Sequence, residues 1–130
     1  MFGATFKLID TSKRVTAAAD KAAFKNFAHA AARISKDAKA SIEKTDGPSL
    51  PGSPPHTHRG SFLRRGIRFA ADKQGAVIGP MASVVGEAGS AHEFGGEFKG
   101  SDFPERPFMG PALEQNIDRF ASTWQGSIGE

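Results

Sequence analysis

From Val15 to Glu43 no glycine or proline interrupts the chain, and alanine, the strongest helix former, is abundant. Phe24, Phe27, Ala31, Ile34, Ala38 and Ile42 recur at intervals of three or four residues and trace one apolar stripe, while Lys21, Lys25, Lys36, Lys39 and Glu43 mostly lie off it. The pattern predicts one long amphipathic helix closed by Asp46-Gly47-Pro48. About 28 residues at 1.5 Å each give a rod of about 42 Å, longer than the ~30 Å width of a small domain. Part of the stripe is therefore expected to stay uncovered within one copy and to meet another subunit.

The rest of the chain is more broken. Phe2 to Ile9 alternates loosely, as a short strand does, and Asp10-Thr11-Ser12 supplies helix-initiating side chains. Pro48, Pro51, Pro54 and Pro55 make the segment from Gly47 to Gly60 a stiff connector without regular structure. Ser61 to Ala71 has two readings, as a helical turn or as a strand. The favoured one is a turn of helix over Gly60–Arg65 running into a strand over Ile67–Ala71. Asp72-Lys73-Gln74-Gly75 then carries turn chemistry, and Ala76–Gly79 is the returning strand of a hairpin. Met81–Gly86 is expected to add another short strand, and Gly86–Gly110 to be an extended arm. The last element begins at Pro111, read as the first helical residue, and places Ala112, Leu113, Ile117, Phe120, Ala121 and Trp124 at helical spacing. The order predicts an α+β domain spanning residues 1–130: a long N-terminal helix packed on a small antiparallel β-sheet, extended loops, and a C-terminal helix.

Composition narrows what such a domain does. At 130 residues it is one domain by size. The 15 glycines and 8 prolines exceed ordinary usage and collect between Gly47 and Pro111. Both loop and arm are expected to be protease-sensitive until they dock on neighbours. Cysteine is absent, which excludes disulfides, thiolate metal sites and a cysteine nucleophile. No basic flank precedes a long apolar run in Met1–Asp10, so no leader is expected, and no apolar stretch approaches the 18 or so residues of a membrane span. The net charge of +3 permits contact with phosphate without demanding it.

No residue set makes a convincing reaction centre. His56, His58 and His92-Glu93 are metal-ligand types, but none of the histidines falls at the i, i+4 spacing of a zinc-protease helix. No serine sits in a nucleophile elbow, and Glu87, Glu93, Glu97, Asp102 and Glu105 lie on a glycine-rich segment too mobile to hold an acid and a base in register. No catalytic residue, metal or cofactor is expected. Arg59, Arg64, Arg65 and Arg68, interleaved with Phe62 and Phe69, are the nucleic-acid candidates. Arg106 stands between Pro104 and Pro107. With its backbone pinned, its guanidinium loses little freedom on pairing with a carboxylate, while Phe108 drops into an apolar pocket beside it. Glu93 and Phe94 are expected to anchor the other end of the arm, within or between subunits.

These residues also carry a family resemblance. Pro51-Gly52-Ser53-Pro54-Pro55-His56, leading to Arg59-Gly60-Ser61-Phe62-Leu63-Arg64-Arg65-Gly66-Ile67, resembles the "P-G-x-P-P … G-x-L-x-x-S-I" stretch of small neck and tail-completion proteins of tailed bacteriophages. Phe62-Leu63 stands where that pattern has one leucine, and Gly66 where it has serine. Val85-Gly86 followed by Ala91-His92-Glu93-Phe94-Gly95 is similar to the family's "V-G … Y-A-x-x-x-E-F-G", with Ser90 in place of the aromatic. Pro104-Glu105-Arg106-Pro107-Phe108-Met109-Gly110-Pro111-Ala112-Leu113 is similar to "P-A-R-P-F-L-x-P-A-L". The resemblance implies a virion protein, assembled in the bacterial host cytoplasm, that forms a homo-oligomeric ring at the head–tail junction. Its partners would be head connector or adaptor proteins on one side and tail terminator or tail tube proteins on the other, with DNA passing through the lumen and no membrane involved. A tail terminator, a minor tail protein or a free DNA-binding protein are the other readings. On the ring reading Pro54, Pro55, His56, His92, Glu93, Phe94, Arg106, Pro107 and Phe108 face neighbouring subunits, and the four arginines face DNA.

Overall fold

Ser12 to Ser41 forms a single uninterrupted helix, α1, in the computed structural model, which describes residues 3–4, 10–58 and 61–128. Its 30 residues span about 45 Å. The strand expected over Phe2–Ile9 lies almost wholly outside the described residues. Asp10 Oδ1 accepts the Ser12 N–H at 2.9 Å, ahead of the first turn, and hydrogen bonding from the Ser12 side chain first and its N–H second holds the Asp10 carboxyl below its ordinary value.

α1 ends five residues before Asp46, not at Asp46-Gly47-Pro48. Ile42 is already extended (φ −90°, ψ 106°) and fully buried. Beyond it the Glu43 carbonyl accepts the Thr57 N–H at 2.8 Å, and the Thr57 carbonyl accepts the Thr45 N–H at 3.2 Å. These bonds pair Lys44 with Thr57 in an isolated parallel bridge. Pairing across the loop stem thus replaces the helical bonds that local propensity favours.

α2 (Phe62–Gly66) runs directly into β1 (Ile67–Ala71), and β1 pairs antiparallel with β2 (Ala76–Pro80) in the register Ile67↔Pro80 to Ala71↔Ala76. The turn between them is as expected: Asp72 Oδ1 accepts the N–H groups of Gln74 and Gly75 at 2.7 and 3.0 Å. Leu63 and Ile67 are buried while Phe62 points to solvent. The segment after Pro80 is not a strand. It forms a short helix, α3 (Ala82–Val85), because the Met81 N–H bonds the Gly66 carbonyl at 2.9 Å and turns the chain back over α2. There Val85 occupies the space that a side chain at residue 66 would need: a Cβ on Gly66 would lie 2.6 Å from it.

The segment 86–110 is likewise more regular than an arm. It holds α4 (Ala88–Phe94) and a second two-stranded antiparallel sheet of β3 (Gly96–Phe98) and β4 (Ser101–Phe103). Lys99 (φ 50°) and Gly100 (φ 77°) form a two-residue hairpin turn, whose paired positive φ values match the twist of the strands. Gly95 separates α4 from β3 at φ 66°, where a Cβ would lie 2.9 Å from the Phe103 carbonyl oxygen. The glycines read as flexibility are partly the turn residues of these elements. α5 (Met109–Thr123) starts two residues before Pro111. Proline is tolerated there because the first-turn N–H groups have no intrahelical acceptor in any case.

α5 packs antiparallel on α1. Near the C-terminal end of α1, Ile34, Ala38 and Ile42 join Leu63, Ile67, Phe108 and Ala112 in the buried core. Toward the other end Phe27 meets Phe120 and Trp124, with ring centroids 5.6 and 5.5 Å apart. Between the two clusters, buried Asn116 donates through Nδ2 to Asp37 Oδ2 at 2.9 Å and to the Ala112 carbonyl at 2.7 Å. The Asn116 hydrogen bond, aided by Arg33, holds the Asp37 carboxyl below its ordinary value. The β1–β2 hairpin lies along another side of α1, with Ile67 in the core and Lys73, at its tip, 3.2 Å from Asp20. The result is the expected α+β architecture, with two small sheets among the described residues rather than one.

Candidate functional site

Most of the residues read as anchors in the sequence converge, but they face inward. Arg106 is the hub. Its backbone N–H bonds the His92 carbonyl at 2.6 Å, and its Nε donates to the Ser49 carbonyl at 3.0 Å. One residue earlier, the Glu105 carbonyl accepts the Gly52 N–H at 2.8 Å. The guanidinium expected to seek a carboxylate thus holds a backbone carbonyl of the proline-rich loop. Rigid, donor-poor prolines leave carbonyls without strand or helix partners, and a pinned arginine meets that need.

Glu93 fixes the other side. Its Oε2 accepts the N–H groups of Phe108 and Met109, both at 2.9 Å, and its Oε1 accepts that of Gly110 at 2.8 Å. Three donors at the start of α5 have no acceptor within the helix, and the carboxylate satisfies them while lying at the positive end of the helix dipole. The helix is thus capped by a residue fifteen positions upstream, not by a neighbour in sequence. Phe108, next to this cap, is fully buried in the core. The apolar pocket expected for it is the chain's own.

The loop closes on itself as well. The Nδ1–H of His56 donates to the Gly47 carbonyl at 3.1 Å, Pro55 is fully buried, and Pro54 is half-buried. Loop, α4, arm and the start of α5 therefore form one latch. Pro107 and His92 are half-buried in it. Burial first, and the nearby Arg106 charge second, push the His92 pKa below 6.5. Phe94 alone of the proposed anchors stands out, 73 % exposed.

Of the arginines, Arg65 and Arg68 are exposed, Arg64 is half-buried, and Arg59 lies outside the described residues. None of Arg64, Arg65 and Arg68 pairs with a carboxylate among the described residues. No group of three or more histidine and acidic side chains is placed to hold a metal among the described residues. No described helix is long and apolar enough to cross a membrane.

Sequence periodicity missed where the open apolar surface lies. The stripe read on α5 is wider than α1 can cover: Ala112 and Asn116 are buried, whereas Leu113 and Ile117 are each 50 % exposed. Asn116, at four residues from Ala112, was the available signal for the true buried line. The outer face of the β1–β2 hairpin is also bare, and its residues Arg68, Ala70, Val77 and Gly79, with Phe69, Ile78, Pro80 and Met81, line a trough of about 570 Å³. Comparison of the chain with protein-family models, curated proteins and solved structures finds no match.

Proposed function

We propose that this chain is a mechanical joining subunit, which assembles as a homo-oligomeric ring at the neck of a tailed bacteriophage between the portal-side connector and the tail. The observation that carries the reading is the balance of its apolar surface. Among the described residues thirteen large hydrophobic side chains are exposed, from Val15 to Ile128, against five buried ones: Ile34, Ile42, Leu63, Ile67 and Phe108. Burial of such side chains is the main favourable term in folding, so a domain that leaves this many of them exposed gains from covering them against other macromolecules. The uncovered front of α1, with Val15 and Phe24 exposed, is consistent with subunit contact. The motif resemblance to neck and tail-completion proteins supplies the setting, a virion built in the bacterial cytoplasm. The latch supports it too, since a ring subunit under load needs its loops held. On this reading no reaction is catalysed, and Phe94 and the open helix and hairpin surfaces meet neighbours, while Arg106, Glu93 and Phe108 brace the subunit from within.

Imaging tailed particles that carry a tagged copy tests the proposal: the tag belongs in a ring between head and tail. Intact, infectious particles without the chain overturn it. Arg65 and Arg68 are exposed and pair with no carboxylate among the described residues, which supports passive contact with DNA in the lumen. Reversing the charge of Arg64 and Arg65 should impair DNA retention or ejection, and unchanged retention and ejection remove that role. Steep salt-dependent DNA binding by the isolated chain would instead favour a free nucleic-acid-binding protein.

A further inference from the structure

The β1–β2 hairpin is a sheet covered on one side only. Ile67 and Ile78 point toward the core, so by strand alternation Arg68, Ala70, Val77 and Gly79 point away from it. Val77 is 78 % exposed, and a Cβ built on Gly79 would meet nothing within 4 Å. The trough is largely apolar, and Arg68 at its rim pairs with no carboxylate among the described residues. An apolar sheet face of this kind is ordinarily covered by a helix.

The chain has such a helix face to spare. Leu113, Ile117 and Ala121 stand four residues apart along the outside of α5, and Glu114 and Asp118 form the exposed row beside them. That ridge runs about 12 Å at 1.5 Å per residue. A five-residue strand offers about 17 Å. The ridge is apolar with an acidic margin, and the trough is apolar with a basic one. The two lie on different elements, both packed on α1, so one copy does not need the same patch twice.

We infer that the outer ridge of α5 in one copy docks into the outer trough of the β1–β2 hairpin in the next, with Asp118 and Glu114 facing Arg68. The contact is heterologous, and head-to-tail contacts of this kind close into rings or continue as open filaments. The inference deepens the ring reading by naming the contact, and it concerns the isolated chain, so it can fail while a joining role through other proteins stands.

Val77→Glu and Ile117→Glu test it, each placed on an exposed side chain so that the fold is kept, as an unchanged melting temperature verifies. Sedimentation of the wild-type chain up to millimolar concentration should show self-association. Each variant alone should associate at least about ten-fold more weakly, because a carboxylate enters an apolar contact. Mixed together, the two variants should form a one-to-one complex and nothing larger, since each retains the half that the other has lost. A wild-type chain that stays monomeric overturns the inference, as does association that neither substitution weakens. Mixed variants that fail to pair, or a Val77→Glu chain that still dimerises alone, indicate a symmetric contact and overturn it equally. Oxidative cross-linking gives a second readout in this cysteine-free background: Val77→Cys with Ile117→Cys in one chain should give a covalent ladder, and either alone should not.

Discussion

The latch and the outer hairpin face contrast in a way their sequences do not suggest. The proline-rich loop and the Pro104–Pro111 arm are the most conspicuous segments of the chain, and they look built to reach outward. In the structure they are tied to one another, to α4 and to the core through Arg106, Glu93 and Phe108. The β1–β2 hairpin and the outer side of α5 are ordinary in sequence, yet they hold open apolar surface. A conspicuous motif can therefore mark internal bracing, and a plain amphipathic pattern can leave apolar surface open. The distinction lies in whether a donor or an apolar group finds its partner within the chain.

The strongest way to break the contrast is to remove the latch's apolar pin. Phe108→Ala should destabilise the domain by about 3–5 kcal/mol, because it opens a cavity in a small core. Chemical denaturation measures this, and a loss below about 1 kcal/mol would mean that the arm is not part of the core. Next comes the cap. Glu93→Ala strips three N–H groups of their acceptor and should cost about 2 kcal/mol. It should also expose the arm to protease, whereas the wild-type arm and loop should resist cleavage in the free chain, contrary to the expectation from composition. Equal cleavage of both proteins would show that the latch is open in solution.

A smaller effect comes from pH. The folded His92 has a lowered pKa, so the unfolded chain binds a proton more readily. Stability is therefore full above pH 6.5 and declines as the pH falls below it toward the folded value. His92→Gln should flatten that part of the stability–pH curve, and an unaltered slope would assign it to another group. Smallest of all should be the outer face: Val77→Glu and Ile117→Glu should change stability by no more than about 0.5 kcal/mol, as exposed substitutions do. A larger loss of stability would place those side chains inside the fold and erase the contrast.

Local pattern was enough to indicate the class of fold. The uninterrupted run from Val15 became α1, and the Asp72–Gly75 turn became the tip of a hairpin, because each rests on residues close in sequence. Elements that depend on distant partners were not legible. The end of α1 was moved by the Thr57 pairing, Ala82–Val85 became a helix over Gly66, and the start of α5 was set by a carboxylate fifteen residues away.

By itself the sequence determined a long amphipathic helix, a hairpin, a final helix and the absence of any thiol chemistry, since helical periodicity, turn residues and composition are properties of neighbouring positions. Only the tertiary structure decided which way the arm faces and which apolar side chains remain uncovered. An unpaired carbonyl at Ser49 or a bare N–H at Phe108 can be satisfied by any suitably placed group, and only the folded chain brings Arg106 and Glu93 to them.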